Sequence, residues 1–115
     1  MSLDVDLMVT KPTSVYSANI THNLGKMASE VKVGIGEQLS LYDILWRPEE
    51  HNLKYARQIA DLLDEGWTTL LSDPEHFKKF NPENGWGNYE GLCNFVYEYR
   101  NACWNNPDAE LSVSR

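Results

Sequence analysis

Leu3-Asp4-Val5-Asp6-Leu7-Met8-Val9 decides the architecture of this chain, because Leu3, Val5, Leu7 and Val9 alternate with Asp4, Asp6 and Met8. A period of two places alternate side chains on one face of a strand and buries that face. Lys11-Pro12-Thr13-Ser14 reads as a turn, and Tyr16, Ala18 and Ile20 resume the alternation, so a β-hairpin is predicted from Leu3 to Ile20. At the far end, Leu111 and Val113 alternate with Glu110, Ser112 and Ser114. A lone strand there must pair its backbone groups with something, and the strand at Leu3–Val9 is the expected partner.

Helical spacing fills the interval between these strands. Thr21 is placed to cap a first helix, with Ile20 just outside it, Leu24, Met27, Ala28 and Val31 along one face, and Gly34 and Gly36 ending it. Leu39 to Trp46 predicts one or two turns closed by Arg47-Pro48. From about Asn52 to Leu71, Ala56, Ile59, Ala60, Leu63, Trp67, Leu70 and Leu71 mark one face, while Lys54, Arg57, Asp61, Asp64 and Glu65 mark the other. Ser72-Asp73-Pro74-Glu75 has cap, proline and acid in the order that starts a helix, which should end near Phe80. A last helix spans roughly Tyr89 to Trp104, with Leu92, Phe95, Val96, Tyr99 and Cys103 on its apolar face and Pro107 stopping it. The expected fold is therefore α+β and mostly α. It has about four helices, and the N-terminal hairpin and C-terminal strand form a small antiparallel sheet, in a single domain over residues 1–115.

The composition narrows the function. A hydrophobic fraction of 42% argues for a folded globule. Seventeen acidic against ten basic residues give a net charge of −7, which repels a phosphate backbone and speaks against nucleic-acid binding. Lys78, Lys79 and Arg100 break up the most acidic stretch, so solubility explains the charge better than a decoy for a basic partner does. Cys93 and Cys103, if both lie on the last helix, are about 15 Å apart and cannot form a disulfide. Two free thiols suit a reducing compartment. Met1 to Pro12 has neither the basic start nor the unbroken apolar run of a signal peptide, and no membrane-spanning run occurs, so the expected compartment is the cytoplasm.

Chemistry-bearing motifs are sparse. The chain has no glycine-rich phosphate loop, Cys-x-x-Cys pair or His-Glu-x-x-His, and no serine in a Gly-x-Ser-x-Gly context, so neither a cofactor nor a metal is expected. His22, between Thr21 and Asn23, could serve as a general base, or could simply make a local hydrogen bond beside the helix cap. Asn81-Pro82-Glu83-Asn84-Gly85-Trp86-Gly87-Asn88-Tyr89 holds two turn signals and a tryptophan between two glycines. There Trp86 either plugs the core or is presented to a ligand or partner. Four tryptophans in so small a domain leave at least one partly exposed, which points to a homodimer or another partner surface.

Ile20-Thr21-His22-Asn23-Leu24, the loop from Asn81 to Gly91, and Ala102-Cys103 followed by Pro107-Asp108-Ala109 together resemble a family of small uncharacterised proteins of bacteriophages, prophages and bacterial genomes. The resemblance implies a genomic setting, assigns no activity, and suggests that His22, Asn23 and the Asn81–Glu90 loop form one unit. The favoured reading is a non-enzymatic accessory or binding protein that acts through protein–protein contacts, with another protein or with itself. The alternative is a small-molecule or nucleotide site built from His22, Asn23, Asn84, Trp86, Tyr89 and Glu90. In that site His22 or Glu90 would handle protons and Trp86 would stack on the ligand.

Overall fold

The computed structural model describes residues 2–10 and 13–115. Two strands, β1 (Ser2–Thr10) and β2 (Thr13–Thr21), form the expected antiparallel hairpin. The turn read at Lys11-Pro12 lies outside the described residues, and Thr13 and Ser14 already belong to β2. β5 (Glu110–Ser114) pairs antiparallel with the other edge of β1, giving the order β2-β1-β5. Leu3, Val5 and Leu7 are fully buried on one face, whereas Val9, which the alternation put with them, is half exposed near the end of the strand. They face Ile20, Ala18 and Tyr16 across β2, while Val113 and Leu111 face Val5 and Leu7 across β5. The alternation therefore produced three columns of apolar side chains on a single face, as period-two sequences do when one side of a sheet is covered. Register slips by one residue at Val15, where Leu7 still faces Tyr16 but Met8 faces Ser14.

The covering layer contains five α-helices, where about four were expected. The long ones are α3 (Ala56–Ser72) and α5 (Tyr89–Asn105); α1 (Gly25–Ser29), α2 (Leu41–Trp46) and α4 (Pro74–Lys78) are short. With the 3₁₀ turns that join them, helix makes up roughly half of the chain. Backbone bonds from Ala56 to Ala109 and from Arg57 to Pro107 tie the start of α3 to the segment just after α5. The Tyr89 hydroxyl donates to the Leu70 carbonyl at the opposite end, so the two helices run antiparallel. Gly66 lets α2 approach closely: a Cβ there would lie 2.9 Å from Leu41 Cδ1.

The first helix is shorter than its apolar spacing predicts. Thr21 caps it, its hydroxyl accepting from the Asn23 N–H, but a 3₁₀ turn (His22–Leu24) leads into α1, which stops at Ser29. Val31 and Val33 are still buried, outside the helix: the Val31 carbonyl accepts from Leu41 N–H, and β3 (Lys32–Val33) pairs with β4 (Leu39–Ser40) in a two-residue ladder. Ser40 and Asp43 form a reciprocal capping box that starts α2. α3 starts at Ala56, later than expected, because Asn52 takes a left-handed φ of 60° that turns the chain before the helix. Among the described residues no helix is long and apolar enough to cross a membrane.

Candidate functional site

The two segments that the sequence links do meet in space. Gly87 sits against the capped turn at Thr21, so tightly that a Cβ on it would come within 2.7 Å of Thr21 Cγ2 and 3.0 Å of Leu24 Cγ. Its φ of +97° is one that side-chain-bearing residues rarely adopt, which accounts for glycine twice over. The asparagines of the loop bind its own backbone. Asn84 Oδ1 accepts from Trp86 N–H at 2.9 Å, Asn81 Oδ1 from Tyr89 N–H at 2.8 Å, and Asn88 Oδ1 caps α5 through Gly91 N–H at 2.8 Å. Asx turns of this kind fix a loop without a core of its own.

His22 turns away from this loop. Its Nδ1 accepts from Trp46 Nε1 at 2.7 Å, which assigns the ring proton to Nε2 and satisfies an indole that is almost wholly buried. Tyr89 is buried, and its hydroxyl, held by the Leu70 carbonyl at 2.6 Å, has its pKa pushed up to about 12 by desolvation. Glu90 is exposed and lies 3.7 Å from Lys78 Nζ, not beside His22. Asn23 is exposed. Trp86 is 70% exposed, so it does not plug the core; the loop holds it out in solvent. Of the six candidate residues, His22 and Tyr89 thus bond inward, Asn84 bonds its own loop, and Trp86 is presented outward.

The other histidines have separate partners. His51 Nε2 lies 3.4 Å from Asp43, and the His76 ring packs edge-on against Phe77 and Phe80. Among the described residues no group of three or more His, Cys, Asp or Glu side chains is placed to hold a metal.

A second cluster, unforeseen in the sequence, lies on the outer seam of α3 and α5. Arg100 is only 7% exposed, and its guanidinium sits 4.7 Å from the Trp67 ring, 4.8 Å from Tyr97 and 4.5 Å from Trp104. Its Nη1 donates to Asp64 at 2.8 Å, and Nε and Nη2 both reach Asn101 Oδ1. The planar ion is thus pinned by hydrogen bonds at its edge and by aromatic faces around it, a role that lysine cannot fill. The rings stay accessible: Tyr97 is 42% and Trp104 47% exposed, with Leu71 nearly half exposed one helical turn from Trp67. The signal was present in the spacing. Arg100 follows Val96 by four residues, which puts it at the edge of the buried stripe, with Tyr97 and Trp104 three and four residues away on the same face.

The chain matches no family model, no curated protein and no solved structure.

Proposed function

We propose that this is a non-enzymatic binding protein that works through protein–protein contacts, with the aromatic seam of α3 and α5 as its principal contact surface. The observation that carries the reading is the Arg100 clamp, in which Tyr97 and Trp104, of residue types that dominate interface energies, are held by a buried arginine yet stay accessible. Rigid aromatic anchors lose little entropy when a partner closes over them. Asp64 on α3 lies at the seam, its carboxylate paired with Arg100. The resemblance implies a phage or prophage setting for such a protein, and a second copy of the chain is one partner to test. Trp86, held out on its locked loop, supports a smaller second contact.

The reading is tested by capture from bacterial lysate and by sedimentation, comparing the wild-type chain with a Tyr97→Ser/Trp104→Ser variant. Loss of a captured protein or of self-association in the variant, which melts somewhat lower but remains folded, is the expected result. Capture indifferent to both substitutions sinks the seam as the contact surface. A small molecule retained by the purified protein and lost in Trp86→Ala would favour the alternative ligand site instead.

A further inference from the structure

The free edge of β5 carries a second, independent opportunity for binding. Leu111 N–H donates to the Lys54 carbonyl at 2.8 Å and Ala56 N–H to the Ala109 carbonyl at 2.9 Å, an antiparallel bridge centred on Tyr55 and Glu110. The odd-numbered residues of β5 therefore point their backbone groups away from β1, because successive residues of a strand alternate in hydrogen-bonding direction. A continuing ladder would send Lys54 N–H to the Leu111 carbonyl. That N–H goes instead to Gln58 Oε1 at 2.7 Å, and the chain preceding Lys54 leaves the sheet at Asn52. The Leu111 carbonyl and both backbone groups of Val113 have no hydrogen-bond partner among the described residues.

A groove opens where the chain peels away. A cleft of about 300 Å³ is bounded by Pro48, Glu49 and Leu53 on one side and by Leu111, Val113 and Arg115 on the other. A second cleft, of about 390 Å³, continues past Leu53 and Leu111 to Lys54. The walls are apolar and half-buried at Leu53, Leu111 and Val113. Their charges cancel in pairs, Arg115 with Glu49 at 2.9 Å and Lys54 with Glu110 at 3.9 Å. β2, the opposite edge, carries the register slip at Val15, a device that bends an edge away from pairing.

We propose that this groove binds an extended, uncharged segment of a partner protein as a fourth strand beside β5. The unpaired groups of Leu111 and Val113 specify the backbone of the occupant. The apolar walls specify apolar side chains at alternate positions, and the self-neutralised charges specify the lack of charge. Strand addition of this kind draws affinity from main-chain bonds and selectivity from side-chain pockets.

Val113→Pro tests it, since proline removes the outward N–H without touching a bond to β1, the placement that sheets tolerate. The probe is a random twelve-residue peptide library selected on the wild-type chain. Enriched peptides should alternate apolar residues, lose at least about tenfold in affinity on Val113→Pro, and slow amide exchange at Val113, a tenfold loss being about 1.4 kcal/mol. Leu53→Asp, on the wall outside the sheet, should give the same loss and decides the matter if the proline variant fails to fold. Failure to enrich any peptide, or binders indifferent to the substitutions, would overturn the proposal. So would a dimer of the chain alone that Val113→Pro dissolves, since the occupant would then be a second copy.

Discussion

Replacing Gly87 by alanine tests whether the loop and the capped turn are locked together. Two costs act at this position. A φ of +97° strains any residue with a Cβ, worth about 1–2 kcal/mol. The added methyl would also lie 2.7 Å from Thr21 Cγ2 and 3.0 Å from Leu24 Cγ, an overpacking worth about 1–3 kcal/mol. Reduced freedom of the unfolded chain returns about 0.4–1 kcal/mol, leaving a net loss of roughly 2–4 kcal/mol. Urea unfolding reads this directly: with a slope of about 2 kcal/mol per molar, the midpoint should fall by about 1–2 M. Gly85→Ala is the control, because its φ is similarly positive at +74° but nothing lies within 4 Å of the new methyl. It should lose only about 1 kcal/mol. Thr21→Ser removes Cγ2 while keeping the capping hydroxyl, so in the Gly87→Ala background it should restore about 1 kcal/mol as a coupling term. Equal losses at Gly85 and Gly87, or no coupling with Thr21, would refute the lock.

His22→Ala leaves the buried Trp46 N–H without its acceptor and should cost about 1–3 kcal/mol in the same assay; a loss near zero would mean that the bond is dispensable. Arg100→Lys keeps the charge but loses the stacked plane, so a destabilisation of about 1–2 kcal/mol is expected, and a lysine variant as stable as wild type would contradict the clamp. Burial raises the pKa values of Tyr89 and Cys103 to about 12 and that of Tyr99 well above its ordinary value, so the unfolded chain releases these protons first as pH rises. Stability should hold below about pH 8.5 and fall steadily from there towards pH 12; a flat profile to pH 12 would contradict the burial. Thiol titration should find two reactive groups in the unfolded chain without added reductant and slow reaction in the folded one, since Cys93 and Cys103 are both free and buried.

Period-two alternation was legible because both faces of a half-covered sheet leave their mark on the sequence. Leu3, Val5 and Leu7 could be read as core, and the pairing of Leu111 and Val113 with the same strand followed from the need to satisfy a lone strand. The stripes of α3 and α5 were legible for the same reason at the helical period. Spacing misled where burial was achieved without the regular element: Val31 continues the pattern of Leu24, Met27 and Ala28 and is buried, yet the helix ends at Ser29. Cys93 does not belong to the stripe that the spacing marks on the last helix and is nonetheless buried. The joining of the Thr21 turn to the Gly87 loop was anticipated, but the direction of His22 was not, since its partner Trp46 lies on an element with no local link to it. Arg100 went unread because a charge on the rim of an apolar stripe is usually solvent-facing; only the aromatic residues around it explain its burial.

The placement of β1 between β2 and β5 has a consequence for the order in which the molecule can be completed during synthesis. Its first edge is closed by a neighbouring strand almost as soon as the hairpin leaves the ribosome, but its second waits for residues more than one hundred positions later, as in the pairing of Asp4 with Ser114. Until then an apolar strand edge stands open while every helix of the covering layer has already been made, a non-local closure of the kind that slows folding and exposes nascent chains to mispairing. The last strand therefore acts as the latch of the nascent domain, and a chain stalled before Glu110 should be held in an association-prone form that completion releases.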